Sequence, residues 1–121
     1  MKEEDFGICP YVTVQKLLAG KWTLIILFLL SRKTMRFNEL LRELPNLTQA
    51  TLTKQLRALE KNELIIRTVY NQIPPKVEYS LSDMGEKFKP VIKTMKTWGD
   101  EYIIRYNPGK KVLPMAYYQD N

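Results

Sequence analysis

The sequence predicts a mainly α domain of the α+β class, a series of helices with one small β-hairpin before a long final helix. Three observations predict it. Apolar residues recur at helical spacing in several separate stretches. Two β-prone runs flank a proline-containing tip within residues 64–81. The chain has 121 residues, one ordinary domain spanning 1–121, and its 45% hydrophobic and 26% charged content is that of a globular protein rather than a disordered tail.

The elements follow in order. Val14, Leu17 and Leu18 share a helical face after Pro10, which suits a first helical turn, and Gly20 can stop the helix. A first helix is expected over residues 11–19. Lys21, Trp22 and Thr23 then open Leu24-Ile25-Ile26-Leu27-Phe28-Leu29-Leu30, apolar on every side and therefore buried. A buried strand competes for so short a run. Leucine content and Trp22 favour a helix. Residues 31–34 are a polar break, and Met35 and Arg36 can form a short strand. Phe37, Leu40, Leu41 and Leu44 fall at i, i+3, i+4 and i+7, a helix over residues 36–44 ended by Pro45 and Asn46. Thr48 is the next N-cap, ahead of the stripe Leu52, Leu56 and Leu59 in a helix over residues 48–62.

Residues 64–70 are rich in β-branched and aromatic residues, residues 71–76 are turn-prone, and residues 77–81 alternate apolar and polar. Pro74 and Pro75 forbid ladder pairing at the tip and stiffen it. Ser82 and Asp83 cap a long helix over residues 84–106, with Phe88, Val91, Ile92, Met95, Trp98, Tyr102 and Ile103 at helical spacing. Pro90 is expected to kink or shorten its first turns. Asn107, Pro108 and Gly109 end it. The tail 110–121 is short and partly apolar, with packing on a partner and fraying both open.

Composition excludes several function classes. The formal charge of +6 favours polyanions, nucleic acid first and an anionic membrane surface second. Histidine is absent, which removes the commonest general base and metal ligand. No paired carboxylates sit in an apolar setting, and the one cysteine lacks a base partner, so the reading is not an enzyme and needs no cofactor or metal. A single cysteine also rules out an intrachain disulfide. The start Met1-Lys2-Glu3-Glu4-Asp5 lacks the apolar core of a signal peptide. The run 24–30 is far short of the about 20 residues a bilayer needs, so a cytoplasmic protein without membrane contact is expected.

The order helix, helix, short strand, helix, turn, helix, strand, tip, strand, long helix contains a winged helix-turn-helix at 36–62 with its wing at 64–81. The second helix of the pair decides its use. With Leu52 taken as the core direction, Leu56 and Leu59 lie within about 40° of it at 100° per residue. Ala50, Lys54, Arg57 and Lys61 fall opposite, with Gln49 and Thr53 on one flank and Thr51 on the other. Hydroxyls, an amide and cations are the groups that read base edges and hold phosphates in a major groove. Gln49, Thr51, Thr53 and Lys54 are the expected base-proximal residues, Arg57 and Lys61 the phosphate contacts. Arg36 and the wing residues Gln72 and Lys76 complete the expected set, and Lys21 is within reach of DNA backbone. From 48 to 76 five basic residues oppose two acidic ones, so positive charge is not diluted there. A basic amphipathic helix is by itself most often a solvated face. The element order and the wing argue otherwise.

Several blocks carry a family resemblance: Leu18-Ala19-Gly20-Lys21-Trp22-Thr23-Leu24, Arg36-Phe37-Asn38-Glu39-Leu40, the stretch Leu52-Thr53-Lys54-Gln55-Leu56-Arg57-Ala58-Leu59-Glu60, Arg67-Thr68-Val69-Tyr70, Pro74-Pro75-Lys76-Val77-Glu78-Tyr79-Ser80-Leu81 and Trp98-Gly99. Together they resemble the HxlR family of bacterial winged-helix regulators, related to the MarR-like regulators, over about residues 9–98. The resemblance implies a homodimeric transcription regulator, a repressor, on double-stranded DNA at a pseudo-palindromic operator. It also implies an interface built from the terminal helices, 11–19 and 84–106. Tyr11, Val14, Trp98, Tyr102, Ile103 and Tyr106 are the expected interface residues, and the aromatic content of the last helix fits, since so small a domain covers it with difficulty alone. A two-fold dimer sets its recognition helices about 34 Å apart.

Two features stay outside that reading. Gly20-Lys21-Trp22-Thr23 resembles the end of a phosphate loop only superficially, because the leading glycine and the preceding strand are missing. Cys9 is either a small structural thiol or a redox sensor. The resemblance favours sensing, since family members that respond to thiol stress carry a cysteine here, and the start of a helix is a setting that favours thiolates. Only an intermolecular bridge or an adduct with a small-molecule or oxidant effector is then open to it. The alternative function is a winged helix that docks on another protein and never touches DNA.

Overall fold

The computed structural model describes residues 5–107 and 109. Among them the order is α1 (Pro10–Leu17), α2 (Thr23–Arg32), α3 (Phe37–Glu43), α4 (Gln49–Lys61), β1 (Ile65–Tyr70), β2 (Lys76–Leu81), α5 (Asp83–Lys87) and α6 (Lys89–Tyr106). The winged helix-turn-helix is therefore present: α3 and α4 form the helix pair, and β1 and β2 the wing.

The apolar run at 24–30 is a helix, α2, and it organises the core. Ile26, Leu27, Leu29 and Leu30 are buried, and Leu24, Ile25 and Phe28 pack against the same cluster. A helix apolar on every side needs cover on every side. β2, α5 and α6 contact it, and the core is completed by Leu40 and Leu44 from the α3 region and by Leu52, Leu56 and Leu59 from α4. Thr48 caps α4, its hydroxyl accepting the Thr51 N–H at 3.1 Å. The far end of α4 closes without glycine. Glu63 takes φ +60°, the left-handed region, and Leu64 N–H donates to the Leu59 carbonyl at 3.0 Å. Ser82 Oγ donates to the Glu63 carbonyl at 2.7 Å and holds this turn against the end of β2.

β1 and β2 pair antiparallel from Ile65↔Leu81 to Tyr70↔Lys76. Ile65, Arg67, Val69, Val77, Tyr79 and Leu81 share one face, whose inner end is buried by Ile65, Tyr79 and Leu81. Towards the tip that face runs beyond the helices, leaving Val69 exposed. The tip residues Asn71–Pro75 are solvent-exposed, and the Ile73–Pro74 peptide is cis.

Four expectations need correction. The first helix is Pro10–Leu17, not 11–19. Pro10 occupies the first turn, and the Ala19 N–H turns back to the Lys16 carbonyl, so the chain leaves the helix before Gly20. Met35 and Arg36 make no strand. Met35 forms a single bridge with Tyr79, bonded in both directions at 3.0 and 2.8 Å, because Arg36 is already the N-cap of α3. The helix expected over 84–106 is two helices meeting at Phe88. Pro90 has no N–H to offer the Glu86 carbonyl, and Phe88 N–H closes a tighter bond to Gly85 at 3.1 Å. Lys76 belongs to β2 rather than to the tip. The tail 110–121 and Pro108 of the expected helix stop lie outside the described residues.

Two stability changes follow. Leu56→Ala lowers the unfolding free energy by about 2–5 kcal/mol, because it opens a cavity between α4 and the core. Glu63→Gly raises it by about 1 kcal/mol by relieving a left-handed side-chain residue, less what glycine adds to unfolded-chain freedom. Urea melts of the two variants beside the wild type check both signs.

Candidate nucleic-acid interface

α4 divides as its periodicity requires. Leu52, Leu56 and Leu59 are buried, while Gln49, Ala50, Lys54, Arg57 and Lys61 are exposed. Thr51 and Thr53 are half-buried on the flanks. The Thr51 hydroxyl accepts from Thr48 Oγ1 at 3.0 Å, so it serves the helix cap as well as the surface. Lys54, Arg57 and Lys61 have no ion-pair partner among the described residues. They make a row of unneutralised charge one turn apart on the side opposite the leucines.

The other expected cations are placed less simply. Arg36 is exposed. Its backbone N–H donates to Glu39 Oε1 at 2.9 Å, and this bond, helped by Lys33 at 3.4 Å, holds the Glu39 carboxyl below its ordinary range. Lys21 is exposed, with Nζ 5.4 Å from the Trp22 ring centre. Gln72 is exposed at the wing tip. Lys76 is half-buried and engaged: its Nζ lies 3.6 Å from Glu78 Oε2 and 4.9 Å from the Tyr70 ring centre. The Tyr70 hydroxyl also donates to Glu78, and that bond, with the adjacent negative charge, pushes Tyr70 above its usual range. The outer end of the hairpin therefore holds its lysine in a neutral cluster.

Sequence reasoning missed two residues here. Arg67 is exposed on the β1 face that leaves the core beside Val69, and its cue is the hairpin alternation carried past the end of the helices. Gln55 is half-buried on the α4 flank and accepts a hydrogen bond from Thr23 Oγ1 at 3.2 Å. No local pattern announces a pairing across thirty-two residues.

A second surface lies apart from α4. Val91, Met95, Trp98, Tyr102 and Tyr106 are exposed along one side of α6, with Ile103 and Ile104 also open. Trp98 and Tyr102 stack at 5.6 Å between ring centres, and Tyr102 and Tyr106 approach to 4.8 Å. Tyr11 and Val14 are exposed on α1. Beside them an open apolar groove of about 610 Å³ runs between α1 and α5, lined by Ile8, Val14, Leu17, Leu18, Met84 and Phe88. Cys9 is half-buried at the N-cap of α1, where its carbonyl accepts from the Thr13 N–H and hydroxyl at 2.9 and 2.7 Å. Among the described residues no group of three His, Cys, Asp or Glu side chains could hold a metal ion, and no helix is long and apolar enough to cross a membrane.

Comparison with known proteins agrees with this geometry. Residues 17–107 match the family described as HxlR-like helix-turn-helix. The HTH-type transcriptional regulator YdeP of Bacillus subtilis is 48% identical over 99 residues, covering 82% of this chain and 77% of that protein. The redox regulator HypR in its reduced form superposes with a TM-score of 0.75 at 40% identity, over 81% of this chain and 95% of that one. Reduced YodB of B. subtilis, a transcriptional regulator, superposes with a TM-score of 0.71 at 31% identity, over 85% and 99%.

The wing cluster has a spectroscopic consequence. Glu78→Ala returns Tyr70 towards the ordinary tyrosine range, which a carbon-13 NMR titration of the tyrosine ring signals reads directly. Because the folded-state value lies above the unfolded one, the Tyr70–Glu78 bond stabilises the fold below the ordinary tyrosine range. That contribution fades as pH climbs through the raised value. A Tyr70 signal that titrates identically in variant and wild type contradicts the bond.

Proposed function

We propose that the chain, which belongs to the HxlR-like helix-turn-helix family of transcriptional regulators, acts as a homodimeric repressor that binds double-stranded DNA in a sequence-specific manner, in the cytoplasm. The observation that carries the DNA reading is the row Lys54, Arg57 and Lys61, without ion-pair partners among the described residues and facing away from a leucine-packed core, on a helix with a wing beside it. α4 enters the major groove from its Thr48 end. Gln49, Ala50, Thr51, Thr53 and Lys54 meet base edges, Arg57 and Lys61 meet phosphates, and Arg36, Gln72 and Lys76 add outlying contacts. Lys76 exchanges Glu78 for phosphate as the wing approaches the backbone.

The exposed aromatic side of α6, together with Tyr11 and Val14, supports the dimer. A contiguous apolar patch of this kind is costly to leave in water. The two-fold operator follows from such symmetry. A thiol-based signal is the regulatory part of the reading. Its support is the likeness to HypR, a redox regulator solved in oxidised and reduced forms, and the placement of Cys9 at the head of α1 beside the proposed interface. The protein-docking alternative has less support, because lysine is depleted in protein–protein interface cores whereas a row of cations beside a wing suits a phosphate backbone.

A gel shift with the gene's own upstream region tests the core of this reading, and absence of a shifted band at low salt sinks it. Within it, Arg57→Ala weakens binding to every duplex and lowers the slope of log affinity against log salt by about 1. An unchanged slope removes Arg57 from the phosphate contacts. Diamide changes the DNA affinity or covalent dimer content of the wild type and leaves Cys9→Ser unaffected; equal responses dismiss the sensor.

A further inference from the structure

Apart from the exposed Lys21, the Gly20-Lys21-Trp22-Thr23 block has no role in the reading above, yet the structure ties it to the recognition helix. Thr23 is the one buried polar residue of the core among the described residues, 4% exposed at the start of α2. Its hydroxyl donates to Gln55 Oε1 at 3.2 Å. Gln55 lies on α4 between Thr51 and Leu59, one residue after Lys54. Gly20 explains how the amide fits. A Cβ on Gly20 would lie 2.6 Å from Gln55 Oε1 and 3.2 Å from Nε2, and would collide with Thr23 Oγ1. Gly20 does not carry the positive φ that favours glycine, so space and not conformation requires it. The Thr23 N–H closes the turn by donating to the Gly20 carbonyl at 3.2 Å.

We propose that Gly20, Thr23 and Gln55 form a clamp that fixes the rotation of α4 on the central helix, and that Gln55 is a positioning residue for DNA discrimination. This rests on the DNA reading of α4. The leucine stripe holds α4 to the core, but apolar packing is non-directional and tolerates small rotations. A hydrogen bond is short and angular, and one placed beside Lys54 sets the azimuth of the base-reading side chains. The hydroxyl reaches the amide only because Gly20 leaves no side chain between them. Phosphate contacts through long, flexible lysine and arginine side chains tolerate a small rotation, whereas base-edge contacts do not.

The test compares two duplexes: one selected by the wild-type protein from a random-sequence pool, and one random duplex of equal length. Thr23→Val and Gln55→Leu each lower the ratio of selected to random affinity about tenfold, the cost of roughly one mis-set base contact. Affinity for the random duplex and its salt slope stay unchanged. Thr23→Ser, which keeps the hydroxyl, retains the wild-type ratio, and the Thr23→Val Gln55→Leu double variant is no worse than either single one. Gly20→Ala matches the valine variant; if it fails to fold, the threonine and glutamine variants decide the matter. Folded variants that keep the full ratio overturn the proposal, as does an equal loss on both duplexes, which marks a merely structural bond. A wild type that binds neither duplex rejects the DNA reading itself, whereas a discriminating wild type with unaffected variants rejects only the clamp.

Discussion

A helix without a polar side cannot stand at a surface, and α2 is such a helix. Its burial sets the arrangement of the rest. Leu52, Leu56 and Leu59 turn α4 inward against the core that α2 organises, which turns Lys54, Arg57 and Lys61 outward. Tyr79 and Leu81 bring the hairpin onto the same core, and the chain then projects its tip past the helices. The exposed basic row and the wing are thus by-products of one requirement, that the all-apolar helix be covered.

What could be read in the sequence follows from range. The α3 and α4 stripes and the hairpin depend on neighbours three, four or two residues away, and residues such as Leu40, Leu56 and Tyr79 announced their burial through spacing alone. The outward set on α4 followed from the same arithmetic. Boundaries were harder, because Arg36 had to choose between strand and cap, and the hydrogen bonds of α3 decided it. Pro90 signalled trouble in the last helix, but only the bond from Phe88 to Gly85 showed that the trouble was a full interruption. Lys76 looked like a free wing cation. Its engagement depends on Tyr70 and Glu78 meeting across the ladder, a register that single-strand patterning does not state. Gln55 was invisible for the same reason at longer range.

The terminal helices show the limit of periodicity most clearly. Phe88, Val91, Ile92, Met95, Trp98 and Tyr102 keep a helical period, and a period says that a face is apolar without saying what covers it. In the monomer Ile92 alone of α6 is buried. The remaining residues describe a surface, so the same pattern that locates core in α4 locates an exposed stripe in α6.

The break at Phe88 has a mechanical side. α5 is anchored by buried Gly85, where a Cβ would press on the Leu64 carbonyl and Leu81, while in α6 Ile92 alone is buried. An eighteen-residue helix is about 27 Å long, so a tilt of about 10° at its root sweeps its far end through roughly 5 Å. The proline-made joint therefore separates a short helix fixed to the core from a long one that carries the Trp98–Tyr102–Tyr106 ladder.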